Sequence, residues 1–276
     1  MFLHREHDPS GALLIPQSSH AWLAWQLSSH WGNRRFVRPA PRAEVLAAVL
    51  LHDSGWTEFD TDPGVDSSGR PVTFDRMEVT EHLAIWRRCV GRTSSYSRYA
   101  AILVATHFAG LVERKTQHLL ARGDTAGARA SQAFRAEMER LQAGWRESLT
   151  VDARYQPYLE GPAWQANCTL LEGCDRVSVY LCASLEKTFR VLAQSSSGEV
   201  EEVEFDGTGD CVWQVRPWPL EGDRVRLHCE GRRLAKTTFG SDDELREALI
   251  RAPAERLTFT LQRPSARSTV SLSLIH

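Results

Sequence analysis

The chain has 276 residues, with 33 Lys and Arg against 35 Asp and Glu, a formal charge of -2, and 42% hydrophobic residues. This is the composition of an ordinary globular protein with ample material for a core, and its charge balance excludes a net field favouring nucleic acid or an anionic membrane. No run of 18 apolar residues is present, so no helical membrane span is expected, and the polar stretch Met1 to Pro9 lacks the apolar centre of a signal peptide.

Phe2 to His4 and Ala12 to Ile15 flank a Pro9-Ser10-Gly11 turn signal and suggest a short hairpin. From Ser18 the pattern becomes helical, with Ala21, Trp22, Trp25 and Leu27 at near-helical spacing up to Trp31-Gly32. Pro39 and Pro41 open a second helix, Arg42 to His52. Its run Val45 to Leu51 is apolar on every face, which predicts a central, buried element. Thr57 to Met77 reads as a loop of about twenty residues, long enough to be functional and a plausible lid. Its DTDPGVD segment is not an EF-hand, because Pro63, a misplaced glycine and the lack of a closing glutamate break that pattern.

Helices are expected at Val79 to Val90, Tyr96 to Lys115, Asp124 to Leu149 and Ala163 to Leu185. Beyond Ser195 the period shifts to two. Val200 to Phe205, Val212 to Val215, Val225 to Leu227 and Leu257 to Leu261 read as strands, with one short helix at Asp242 to Arg251. The expected fold is therefore mainly α: a hairpin over 1–15, a helical domain over 16–190, and a small α+β appendage over 195–276 after the Gln194 to Gly198 linker. Cys89, Cys168, Cys174, Cys182, Cys211 and Cys229 form no C-x-x-C pair, so they read as reduced thiols of a cytoplasmic protein and not as a zinc-thiolate site. Nine tryptophans are many for this length, and buried indoles need partners, so some should line a cleft.

Chemistry is concentrated in histidine and aspartate. With 10 histidines and 14 aspartates, chance gives about 0.5 His-Asp dipeptides, and the chain has two. His7-Asp8 lies in a polar turn. His52-Asp53 ends the most apolar helix, where polar side chains should be few unless paired or metal-bound. His20, His82, His107 and Asp175 repeat that context on four further helical segments. One such histidine is an ordinary hydrogen-bonded residue; five segments each presenting a ligand type in the order His, His-Asp, His, His, Asp form a metal-binding pattern.

That order, carried by PQSSHAWLAWQL, HDSGW, EHLAIW, ATHFAGL and CDRVSVYLC, resembles the HD-domain superfamily and also a bacterial HD-like family of unknown function. The resemblance covers about 165 residues, implies an HD-like helical bundle, and leaves the β-rich tail unexplained. It implies that His20, His52, Asp53 and Asp175 hold one metal and His82 and His107 a second, with Asp53 bridging them. Two transition metals are then expected, iron first, with manganese and zinc as alternatives.

His52 and Asp53 are the expected catalytic pair. The resembled phosphohydrolases often carry a basic residue three positions after the aspartate, where this chain has Trp56, either a pocket wall or core. Arg88 is a substitute cation although helix geometry does not put it squarely on the face of His82, and His30, about 80° around its helix from His20, is either a base behind the metal ligands or a helix-end surface residue. Trp56, His30 and Arg88 are thus the candidate substrate-binding residues. The expected activity is dinuclear metal-dependent hydrolysis of a phosphate ester or phosphodiester. A di-iron oxygenase of a small polar metabolite is the alternative, and a non-catalytic metal-dependent sensor the third reading. The expected partner is a small molecule, phosphorylated in the hydrolytic reading; oligomeric state is not readable.

Overall fold

The computed structural model describes residues 2–5, 11–209 and 211–264. Strands β1 (Phe2–Arg5) and β2 (Ala12–Pro16) form an antiparallel hairpin that feeds directly into α1 (Gln17–Ser29). Helix α2 (Arg42–Leu51) buries Val45, Ala48 and Val49 and ends at the His52-Asp53 pair; a single turn, Ser54–Trp56, then leads into the short α3 (Thr57–Thr61). Three long helices follow: α4 (Val79–Tyr96), α5 (Arg98–Ala121) and α6 (Thr125–Leu149). Ser97 and Asp124 cap α5 and α6 by accepting from the backbone N–H groups of Ala100 and Gly127. Helix α7 (Gly161–Ala183) has Pro162 in its first turn, where the missing N–H costs nothing.

The remaining elements are β3 (Thr188–Gln194), β4 (Val200–Gly209), β5 (Val212–Arg216), β6 (Arg224–Leu234), α8 (Asp242–Arg251) and β7 (Ala254–Gln262). All seven strands lie in one sheet, in the order β1-β2-β6-β7-β5-β4-β3, antiparallel throughout except for the parallel β5–β7 pair. Burial alternates along β3 and β6, so Phe189 and Val191 with Val225, Leu227 and Cys229 form an inner face. That face joins Leu23 and Leu27 of α1 and Val177 and Leu181 of α7 in one hydrophobic core. Strand β2 shows both faces: Leu13 and Ile15 enter that core, while Ala12 and Leu14 pack with Leu245 and Leu249 of α8 in a second cluster. Gly231 marks the close crossing, because a Cβ there would stand 2.9 Å from the Leu14 carbonyl oxygen.

The expectation of a mainly α, HD-like bundle with a small C-terminal appendage is therefore corrected: the chain is 54% helical and 21% strand, its strands form a substantial seven-stranded sheet, and the N-terminal hairpin belongs to that sheet. Hydrophobic periodicity reports the other strands locally but not β3, which straddles the expected end of the helical domain at 190; the pairing of Ala12 with Leu234 spans almost the whole chain and leaves no local trace. The segment expected as a structureless lid also differs. It contains α3, and the Val65 N–H donates to Asp242 Oδ1 at 2.8 Å, while Arg246 pairs with Asp62 at 2.7 Å, so the segment is tied to α8. Among the described residues, no helix is long and apolar enough to cross a membrane.

Candidate metal centre

Five of the sequence-selected residues converge where α1, α2, α5 and α7 meet. His20 shares a face of α1 with Leu23, Ala24 and Leu27, at helical spacing, so its imidazole points inward where an aliphatic side chain would otherwise pack. His52 and Asp53 are delivered by the end of α2, and Asp53 leaves helical geometry at φ -107°, ψ 17°. Gly55 permits this turn: a Cβ there would lie 2.4 Å from the Ile85 carbonyl oxygen and 2.7 Å from the Cys89 nitrogen, so α4 packs directly against the chain beneath the pair. The glycine serves close approach of a helix backbone, not of a ligand.

His20 Nε2 lies 2.6 Å from Asp53 Oδ2 and 3.9 Å from Asp175 Oδ1, and His52 Nε2 lies 3.2 Å from Asp175 Oδ1 and 3.6 Å from Asp53 Oδ2. One ligand atom each from His20, His52 and Asp175 lie within 4.8 Å of one another. Asp175 Oδ2 faces the third imidazole, His107 Nε2, at 3.4 Å. The carboxylate that spans several histidines is thus Asp175, through both oxygens, whereas Oδ2 alone of Asp53 makes the close approaches.

The outer hydrogen bonds fix what the inner nitrogens offer. His52 Nδ1 is 2.7 Å from the Val49 carbonyl, which only accepts, so Nδ1 carries a proton. The Ser178 hydroxyl donates to the Asp175 carbonyl, so its oxygen accepts from His20 Nδ1 at 2.8 Å. In the neutral tautomers both Nε2 lone pairs then point at carboxylate oxygens, and such an acceptor pair needs a shared proton or a cation between its members. His107 Nε2 is buried and makes no geometrically sound hydrogen bond; the polar atom it faces is Asp175 Oδ2, at 3.4 Å. An orphaned imidazole nitrogen beside a carboxylate and two oriented imidazoles fits a transition-metal ion.

Without an ion, a proton on His52 can meet that need. Burial works against a charged His52, but the charge of Asp53 and the hydrogen bond and charge of Asp175 outweigh it and raise its pKa to about 9. Burial likewise disfavours the Asp175 carboxylate, yet His107 and His52, facing its two oxygens, hold it well below the usual range; Asp53 is lowered by His52 and His20 against the same opposition.

The other selected residues lie apart from this cluster. His82 sits on α4 with its Nδ1 3.0 Å from Lys115 Nζ and its ring against Trp56 and Trp86, at centroid distances of 5.1 and 4.5 Å. Burial and the Lys115 charge push its pKa down to about 3. Trp56 is fully buried, with its ring against that of His82. Arg88 donates to the Gly55 carbonyl at 3.4 Å and faces Glu58 at 3.8 Å, and His30 is an exposed C-cap whose carbonyl accepts from Glu221. A groove of about 650 Å³ between α1, α3, β6 and α8 is lined by Trp22, Asp60 and Arg246 and contains none of the cluster. Sequence reading passed over Ser178 and Lys115; Ser178 is one helical turn beyond Asp175 and Lys115 two turns beyond His107, which is the spacing that could have drawn attention to them.

No curated protein and no solved structure matches the chain. A family model described as a protein of unknown function (DUF3891) matches residues 2–236, from β1 through β6 and all the residues of the cluster. The chain belongs to that family.

Proposed function

We propose that this protein is a metal-dependent hydrolase of a phosphate ester or phosphodiester, with its ion held by His20, His52, Asp53 and Asp175 and with His107 as a further donor. The observation that carries the reading is the orientation of the inner nitrogens: the Nδ1 protons of His20 and His52 are committed to Ser178 and Val49, and the buried Nε2 of His107 faces only the Asp175 carboxylate, without a well-formed hydrogen bond. Iron, manganese and zinc all suit such nitrogen and oxygen donors. A bound ion of this class supplies Lewis acidity toward a phosphoryl oxygen and a water acidic enough to attack near neutral pH. Asp175 forms the open edge of the cluster, since its side chain is 19% exposed while those of His20 and His52 are 1%. Substrate therefore approaches over Asp175, with the buried imidazoles behind the ion.

The convergent set is enough for one ion. A second would require His82, whose Nδ1 is engaged by Lys115. Metal analysis of the purified protein, with turnover of bis(p-nitrophenyl) phosphate in manganese, tests the reading. Stoichiometric metal and hydrolysis, both lost in His52→Ala and Asp53→Ala, are expected; no bound metal and no hydrolysis in the wild type sinks it. The aromatic wall of Trp56, Trp86 and Phe108 favours a second reading, an iron oxygenase. Two irons per chain with substrate-dependent oxygen consumption would select it, and metal binding with neither activity would select the sensor reading.

A further inference from the structure

Lys115 of α5 carries a charge that the metal cluster does not account for. Its ammonium is half-buried, 3.0 Å from His82 Nδ1 and 5.9 Å from the Trp86 ring centre. Among the described residues no carboxylate pairs with it. A half-buried ammonium with no counter-ion keeps donor protons free to meet an anion. Burial accordingly lowers its pKa.

The hydrogen bond to His82 has one direction. An ammonium has three protons and no lone pair, so His82 Nδ1 accepts and the ring's own proton sits on Nε2. Neither nitrogen then offers a lone pair to a metal. His82 is a positioning residue: clasped between Trp56 and Trp86, it fixes where the Lys115 charge lies. This aromatic wall starts at the cluster itself, because Trp56 follows Asp53 by three residues and Trp86 stacks on Phe108, next to His107, with ring centres 4.9 Å apart. The charge of Asp53 also reaches His82, which places the pair within electrostatic range of the centre.

The geometry points to Lys115, steered by His82, as the residue that receives the phosphoryl oxyanion of the substrate beside the metal. The anion's identity as phosphate rests on the hydrolase reading above; the need for an anion rests on Lys115 alone.

Titration of metal-loaded protein with inorganic phosphate, with metal content measured on the same samples, tests this. In Lys115→Met, which keeps the length and packing of the side chain, metal content should be unchanged and phosphate affinity about ten- to hundredfold weaker, the effect of losing one charge-assisted hydrogen bond. His82→Ala should keep its metal and weaken phosphate binding, while His82→Gln, which retains an acceptor, should restore most of it. With p-nitrophenyl phosphate, kcat/KM of Lys115→Met should fall by a similar factor with metal content unchanged. Equal phosphate affinity in Lys115→Met and wild type overturns the proposal, and loss of a metal equivalent in His82→Ala overturns the positioning role. Acetate binding more tightly than phosphate with the same dependence on Lys115 overturns the phosphate assignment. If the wild type takes up no metal, the hydrolase reading fails, and the same titration on metal-free protein still decides whether Lys115 holds the anion.

Discussion

An imidazole binds metal through a lone pair, so its second nitrogen decides whether it is ready to do so. Ser178 and the Val49 carbonyl perform that selection for His20 and His52. Ser178→Ala should therefore lower metal affinity about ten- to hundredfold while leaving the fold intact, measured by competition with a chelator of known affinity; an unchanged affinity would mean that the carboxylates alone orient His20. Protons and metal also compete. With its pKa raised to about 9, His52 holds a proton at neutral pH that an incoming ion must displace, so apparent metal affinity should rise with pH, by up to about tenfold per unit, and level off above pH 9. A flat profile from pH 6.5 to 9 would refute this.

The same shift has the opposite sign for stability without metal. The raised His52 pKa contributes stability that is fully present below the ordinary value of 6.5 and is lost as pH rises through about 9. The lowered Asp53 and Asp175 contribute above the ordinary carboxylate value of 3.8 and lose their share on acidification. Thermal melts of metal-free protein should therefore peak between these limits and decline toward pH 9.

Elements hold the site in register, and Gly55 shows how little slack they leave. A methyl group at this position meets the α4 backbone at Ile85 and Cys89, and backbone cannot yield as a flexible side chain can. Gly55→Ala should cost about 1–3 kcal/mol by displacing the turn from α4, read from denaturant unfolding, and should weaken metal binding because that turn carries Asp53. An unaltered midpoint would show that α4 moves away freely. Helix α5 works over a longer span: it carries His107 to the cluster and Lys115 to His82, two points eight residues apart, so one element fixes the spacing between the cluster and the cation.

At the scale of the whole molecule, the sheet and helices share one core, and β7 is central to it. Strand β7 lies between β6 and β5 and contributes Leu257, Phe259 and Leu261, although it falls beyond the matched residues 2–236. A chain ended after residue 236 should lose cooperative unfolding, because the sheet would be parted at its middle and the inner face opened to water. A cooperative melt of that truncated chain would instead show that the helices stand without the rest of the sheet.

What the sequence determined by itself is the identity of the residues that converge in the cluster and the helices that carry them. His20, His52, Asp53, His107 and Asp175 stand out because apolar helical segments leave a polar residue little to do but meet another polar group. The types of the longer elements were legible because periods of 3.6 and 2 are written into consecutive residues, whereas β3 and the short α3 were not read. The sheet's extent, the tie between the 57–77 segment and α8, the anchoring of His20 by Ser178 and the capture of His82 by Lys115 were decided only in three dimensions. Each joins residues distant in sequence or on different elements, from Ala12 with Leu234 to His82 with Lys115, and long-range pairing depends on which surfaces meet when the core closes.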